Sequence, residues 1–370
     1  MLGSILTFLI VLSILVLVHE LGHFLMARRF GVWVEEFGFG IPPKVMGKKI
    51  GKTVYSLNLL PFGGFVKLYG ESFEGEITDS KRSFMGKSIL ERLIILVSGV
   101  VMNFLLAVVA FAIVYSFSGI PKETKDVKLV EISQGSPAQV AGLVVGDVVK
   151  TVDKEKVESM DTFTKLVEAK KGKRITLGVE RLIDGKKVDK KVQITPRASP
   201  PSNEGPLGVV ITTTEIYYPP IYLRPFVGTF YGIKDSLYWG KNVISGFMGI
   251  FTDLFSGKVP QDLSGPVGIF AITAQAAKMG VLSVINFIGV LSINLAILNI
   301  IPFPALDGGR VLFIVIEKIM GRKVLPKVEA YIHTIGMIIL LTLLLAITAH
   351  DIQRLVVAGS FSNFIESVLK

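Results

Sequence analysis

The chain has 370 residues, half of them hydrophobic, no cysteine, and a formal net charge of +10 from 40 Lys and Arg against 30 Asp and Glu. Without cysteine, disulfides and thiolate metal ligation are excluded, so any metal must be held by nitrogen and oxygen. The apolar residues gather into long runs rather than following the periodicity of a soluble core, which reads as a polytopic α-helical membrane protein of about four spans. The positive charge then belongs to membrane-facing loops, and no nucleic acid need be invoked as a partner.

Residues 1–28 hold the first predicted span, over 2–27, in which the only ionisable side chains are His19, Glu20 and His23. An ionisable group deep in a span is costly, and the few that occur are usually functional. Positions i and i+4 share one helical face, so both imidazoles can reach one metal while Glu20 stands beside them to handle a proton. The competing reading is that the histidines only hydrogen-bond to neighbouring helices. The segment has no basic leader and is not read as a cleavable signal peptide.

Residues 29–91 form a basic loop, entered through Arg28 and Arg29 and carrying Lys44, Lys48, Lys49, Lys52, Lys81, Arg82 and Lys87. Around Leu60-Pro61-Phe62-Gly63-Gly64, the strand formers Val54, Tyr55 and Leu57 on one side and Phe65, Val66 and Leu68 on the other predict a hairpin over 53–69 that dips to the membrane face. Its open edge could hold an unwound substrate by strand addition; a purely structural hairpin is the alternative. Residues 92–118 contain the second span, over 93–117. A soluble composition follows over 122–198, with strands at 127–132 and from 146, a helical turn at 136–143, an amphipathic helix at 161–169, and strands 175–181 and 187–194 joined across Asp184-Gly185.

Residues 199–280 read as a proline-marked linker followed by an aromatic, apolar stretch at 226–255. Lys234, Asp235, Lys241 and Asp253 interrupt that stretch, so it is expected as an interfacial amphipathic helix and not a span. Residues 281–330 contain the third span, over 281–301, and a basic loop with Arg310, Lys318, Arg322, Lys323 and Lys327; residues 331–370 contain the fourth span, over 332–349, and a tail. The positive-inside rule places both basic loops in the cytoplasm, both termini and the 122–198 region outside.

At the end of the third span, Asn299-Ile300-Ile301-Pro302-Phe303-Pro304-Ala305-Leu306-Asp307-Gly308-Gly309 breaks the helix, which membrane depth tolerates only where backbone is buried in protein or lines a cavity. Its one acid, Asp307, reads as the carboxylate that completes a set of three ligands or as a turn residue ahead of two glycines. The amides of Asn294 and Asn299 could replace backbone partners of an opened substrate helix or bond between helices. His333 is expected at the interface, and His350 outside and away from the site.

His19-Glu20-Leu21-Gly22-His23 together with Asn299–Gly309 resembles the site-2 protease family of intramembrane zinc metalloproteases, in its bacterial RseP-like branch. Gly38-Phe39-Gly40, Leu60 to Lys67, Gly99 to Asn103 and Leu263-Ser264-Gly265-Pro266-Val267-Gly268 extend the resemblance over nearly the whole chain. The resemblance implies Zn2+ held by His19, His23 and Asp307, with Glu20 as the catalytic base for a zinc-activated water. It implies substrate-binding roles for Asn294, Asn299, Gly64 and Phe65. Residues 122–198 look like a single PDZ domain of the circularly permuted type, where the RseP archetype has two in tandem. The implied substrates are single-span membrane proteins cut within or near the bilayer of the bacterial inner membrane, such as pre-trimmed anti-sigma factors or signal-peptide remnants, and a PDZ peptide ligand is allowed. A catalytically silent PDZ scaffold is the alternative function; a metal transporter is disfavoured because polar residues do not recur through several spans.

Overall fold

In a computed structural model, residues 2–71, 77–201, 203–256, 265–322 and 324–369 are described. The motif residues Leu263 and Ser264, and Lys323 of the second basic loop, lie outside them. The chain divides into two compact units, Met1–Phe117 with Pro220–Lys370, and Ser118–Pro219.

The first unit begins with α1 (Leu2–Arg29), a run whose 28 residues extend about 42 Å at 1.5 Å each. A two-stranded ribbon follows, β1 (Val34–Ile50) and β2 (Thr53–Leu68), then a 3-10 turn at Ser80–Arg82 and α2 (Ile89–Ser118). Among the described residues, four helices are long and apolar enough to cross a membrane: α1, α2, a later helix Val281–Ile300, and Lys327–Ala358. These match the expected spans.

The ribbon departs from the predicted hairpin. The segments on either side of Gly63-Gly64 do not pair with each other; both pair with β1, which runs between them. Phe37 is opposite both Tyr55 and Val66, Gly38 opposite both Ser56 and Phe65, and Phe39 opposite both Leu57 and Gly64. β1 then breaks at Pro42-Pro43, where prolines cannot donate to a ladder, and resumes from Lys44↔Asn58 to Ile50↔Thr53 as an outlying hairpin. Two features hide this arrangement from the sequence: the pairing is long-range, and Gly40 lets the chains approach at a point where a side chain would stand 2.3 Å from the Leu60 carbonyl oxygen. Phe24, Phe37 and Tyr55 stack edge to face and seat the ribbon on α1.

The second unit is a sheet of six strands: β3 (Ile120–Ile132), β4 (Val148–Val152), β5 (Glu155–Lys156), β6 (Ile175–Ile183), β7 (Lys186–Ile194) and β8 (Val209–Tyr217). The order is β7-β6-β4-β3-β8, with β5 pairing β4. Two short helices, α3 (Pro137–Val140) and α4 (Met160–Glu168), are capped by Ser136 and Ser159, whose hydroxyls accept the Gln139 and Thr162 N–H groups. Ile175, Leu177 and Val179 alternate into a core shared with Val127, Leu129, Phe163 and Val167. Asp184 and Gly185, both left-handed, make the tight turn between β6 and β7 as expected. The stretch after Pro201 is more than a linker: β8 returns antiparallel to β3 and completes the sheet, with Ile132↔Val209 and Ile120↔Tyr217 at its ends.

The first unit resumes with α5 (Arg224–Phe255), α6 (Pro266–Met279), α7 (Val281–Ile300), α8 (Asp307–Met320), α9 (Pro326–Ala358) and α10 (Phe361–Leu369). The helix expected at the interface, α5, packs along α2. A side chain at Gly228 or Gly232 would stand 2.6 Å from the Ala112 or the Val108 carbonyl oxygen respectively, so the small residues permit backbone contact. Tyr115 donates to Asp235, and Trp239 and Val243 pack on Ala107, Phe111 and Ile293. The linker reading also misses α6, which packs against α1 through Phe8 and Phe270, with ring centroids 5.6 Å apart, and shares a core with Phe364 and Ile365 of α10.

Candidate metal centre

The site forms where α1, α2 and the α7–α8 turn meet. α1 and α2 approach closely because both carry glycine at the crossing: a Cβ on Gly22 would stand 2.4 Å from the Ser98 carbonyl oxygen, and one on Gly99 would stand 2.5 Å from His23 Nε2 and 2.7 Å from His19 Cε1. The imidazoles of His19 and His23, 6% and 7% exposed, occupy the space left free by Gly99.

Asp307 reaches them from the first residue of α8. Gly308 and Gly309 are packed so tightly beneath the preceding turn that added side chains would meet the Ile301 and Phe303 carbonyl oxygens at 2.1 and 2.4 Å. The turn itself is held by His333 of α9, whose Nδ1 accepts the N–H of Ala305 at 3.0 Å, a residue with left-handed backbone. Asp307 Oδ2 lies 2.9 Å from His19 Nε2 and 3.2 Å from His23 Nε2, and the two Nε2 atoms are 3.2 Å apart.

The far nitrogens decide what the near ones can do. His23 Nδ1 is 2.8 Å from the Ile95 carbonyl oxygen, which can only accept, so Nδ1 carries the proton and Nε2 presents a lone pair. His19 Nδ1 is 3.3 Å from the amide of Asn103, a fully buried residue whose Oδ1 has no partner as oriented. Turning that amide gives Oδ1 a donor in His19 Nδ1–H and again leaves Nε2 with a lone pair. Two lone pairs and a carboxylate oxygen thus converge on one point, an arrangement that repels itself unless a cation stands between them. Two imidazole nitrogens and one carboxylate oxygen, their ligand atoms within 4.8 Å of one another, fit zinc.

Glu20 lies on the wall of a cavity of about 520 Å³ with His23, Phe65, Asp307 and Arg310, and its carboxylate faces the Val66 N–H. Gly64 is alongside: a Cβ there would stand 3.9 Å from Glu20 Cγ and 3.4 Å from a methyl of Leu17. Arg310 is ion-paired with Glu71, just beyond the end of β2. The two asparagines part company. Asn299 Nδ2 lies 3.4 Å from His19 Nε2, whereas Asn294 donates to the Val290 carbonyl of its own helix at 2.9 Å. His333 stays out of the cluster, and His350 is exposed. Sequence reasoning gives no role to Gly99, Asn103 or His333. The signals available are the segment Gly99 to Asn103, already part of the family resemblance, and the single amide at Asn103 in a largely apolar span.

A family model described as Peptidase family M50 matches residues 7–343. Zinc metalloprotease RasP of Geobacillus kaustophilus is 30% identical, covering 95% of this chain and 98% of that protein. A Bacillus subtilis protein named regulator of sigma-W protease RasP is 28% identical over 95% of this chain and 99% of its own length. A Clostridium perfringens protein whose name assigns it provisionally to the zinc metalloproteases is 33% identical over 93% of this chain and 97% of its own.

Proposed function

The chain belongs to peptidase family M50 and is a zinc metalloprotease with, among the described residues, four apolar helices long enough to span a membrane; from that premise we propose that it cleaves single-span membrane proteins within or near the bilayer. The observation that carries this reading is the convergence of His19, His23 and Asp307, with Glu20 beside them on the cavity wall. We assign His19 Nε2, His23 Nε2 and Asp307 as the residues that would hold zinc. When bound, zinc supplies Lewis acidity toward water and the scissile carbonyl.

Glu20 accepts the proton released as water attacks and returns it to the leaving amine nitrogen. The segment 64–68 is bonded to β1 along one edge; an extended substrate adding to the other edge, beside Gly64 and Phe65, is carried past Glu20 by backbone hydrogen bonds with little sequence preference. Asn299 supplies an amide to backbone groups freed when the substrate helix opens, and Asn294 takes that role only after releasing Val290. Asn103 and the Ile95 carbonyl fix the tautomers of the imidazoles, and His333 fixes the turn that carries Asp307.

The unit Ser118–Pro219 acts as a PDZ domain: α4 packs across β4 and β8, and β8 is an edge strand to which an extended peptide can add. With basic loops inside, the enzyme lies in the bacterial inner membrane with both termini and this unit outside and the site near the cytoplasmic side. Substrates trimmed outside, such as anti-sigma factors or signal-peptide remnants, suit that arrangement, and the sigma-W name of the Bacillus subtilis relative favours the former. The test is co-expression of a tagged, pre-trimmed single-span protein with the wild-type chain or with Glu20→Gln. Cleavage that vanishes in Glu20→Gln supports the assignment; equal cleavage by both removes Glu20 as the base.

A further inference from the structure

Beyond the proteolytic site, a second cavity of about 350 Å³ lies at the Arg28 end of α1, lined by Arg28, Gly31, Trp33, Lys52, Tyr55 and Arg82 among others. Three cations line it, Arg28 with its guanidinium 5.5 Å from the Phe24 ring centroid, and none of the three has a carboxylate partner among the described residues; the nearby acids Glu35 and Glu36 are engaged by Lys67 and Lys44. Arg82 Nη1 is 3.4 Å from the Gly31 carbonyl oxygen, and the Lys52 ammonium stands 4.8 Å over the Trp33 ring. Lys87 adds a fourth charge, its Nζ lying 4.0 Å from where a Gly31 side chain would begin.

The walls are built, not incidental. The Trp33 backbone N–H donates to the Arg82 carbonyl at 3.1 Å and the Trp33 carbonyl accepts from the Tyr69 N–H at 2.9 Å, while Thr53 Oγ1 donates to the Val34 carbonyl at 2.9 Å. These bonds lock the end of α1, the outlying hairpin and the Ser80–Arg82 turn around the cavity. Unpaired cations held together repel one another, so the arrangement is completed by an anion.

Depth selects which anion. Arg28 follows Ala27 at the end of the first apolar run, so the cavity sits at headgroup level, where Trp and Tyr concentrate. Leu25, exposed one turn earlier on α1, offers an apolar wall to an acyl chain. We propose that this cavity binds the phosphate of an anionic phospholipid, with Arg28, Lys52 and Arg82 as its direct partners and Trp33 and Tyr55 against the glycerol. The bound lipid ties the ribbon that flanks the proteolytic site to the bilayer surface.

The test is native mass spectrometry of the full chain released from detergent with added phosphatidylglycerol or phosphatidylcholine. Wild type retains phosphatidylglycerol preferentially. The triple variant Arg28→Gln, Lys52→Gln, Arg82→Gln loses retention roughly a hundredfold, at about fivefold per cation removed. Lys48→Gln, Lys49→Gln, Lys81→Gln, which removes the same charge outside the cavity, keeps it. Should the first triple fail to fold, Lys52→Gln alone, at an exposed position, lowers retention about fivefold. Undiminished retention in the pocket variants, equal loss in the control triple, or displacement of the lipid by millimolar inorganic phosphate would each overturn the proposal, the last by making this a site for soluble phosphate.

Discussion

Replacing Gly99 by alanine puts one methyl group into the space that the two imidazoles occupy. The new carbon would lie 2.5 Å from His23 Nε2 and 2.7 Å from His19 Cε1, against about 3.5 Å for an ordinary contact, so something must move by about 1 Å. The His23 ring cannot swing freely, because Nδ1 is tied to the Ile95 carbonyl at 2.8 Å. The two backbones are already in contact there, with Gly22 against Ser98 and Gly99, so a sideways adjustment at the crossing gives no relief. Either the helices part, costing about 1–3 kcal/mol of overpacking, or the ring shifts, and a misplacement of about 1 Å at a catalytic centre costs roughly a hundredfold in rate. The assay is bound zinc per chain and cleavage of a single-span reporter by purified Gly99→Ala, with far-UV helicity as the folding check. Gly246→Ala, in open space on α5, is the matched control and is expected to behave as wild type. Full zinc occupancy and cleavage within about twofold of wild type in Gly99→Ala would refute the packing argument, given the roughly hundredfold loss it requires.

Asn103→Ala removes the partner of His19 Nδ1, and loss of such a supporting bond is expected to lower zinc affinity about 10–100-fold, measured by chelator competition; unchanged affinity would show that the amide does not orient the ring. Arg92 and Glu317, paired at 2.5 Å with side chains 4% and 5% exposed, join α2 to α8. Arg92→Met alone should cost about 3–5 kcal/mol by stranding a buried carboxylate, and adding Glu317→Leu should recover most of it in thermal denaturation; a harmless single variant would contradict this. In the Ser118–Pro219 unit, the Thr176 N–H, bonded at 2.7 Å, and then Lys170 hold the Asp153 carboxyl below its ordinary value. That contribution is present above about pH 3.9 and is lost as pH falls through the lower folded value, so the protection factor of the Thr176 amide should fall in acid, and protection that is flat with pH would contradict the assignment.

What is legible in the sequence follows from local rules. His19, Glu20 and His23 lie within about one helical turn, and the spans are continuous apolar runs, so both can be read from neighbours in the chain. The β6–β7 hairpin is equally local, its Asp184-Gly185 turn visible as a dipeptide. Asp307 can be proposed because two prolines and two glycines mark a broken helix, but its distance to the histidines is a tertiary fact. What escapes depends on partners far along the chain. β1 separates two segments that look like partners of each other, β8 closes a sheet begun much earlier in the chain, setting Thr214 opposite Glu123, and α6 is too short to register as a span. The contacts that fix α5 against α2, Asp235 with Tyr115 and the close approach at Gly228 and Gly232, are likewise invisible to composition.

The most direct test of the central claim measures zinc content and cleavage on the same purified preparations of wild type, Glu20→Gln and Asp307→Ala. The account predicts one zinc per chain and cleavage in wild type, zinc without cleavage in Glu20→Gln, and loss of both in Asp307→Ala. Cleavage by Glu20→Gln at the wild-type rate, or full zinc retention by Asp307→Ala, would contradict it.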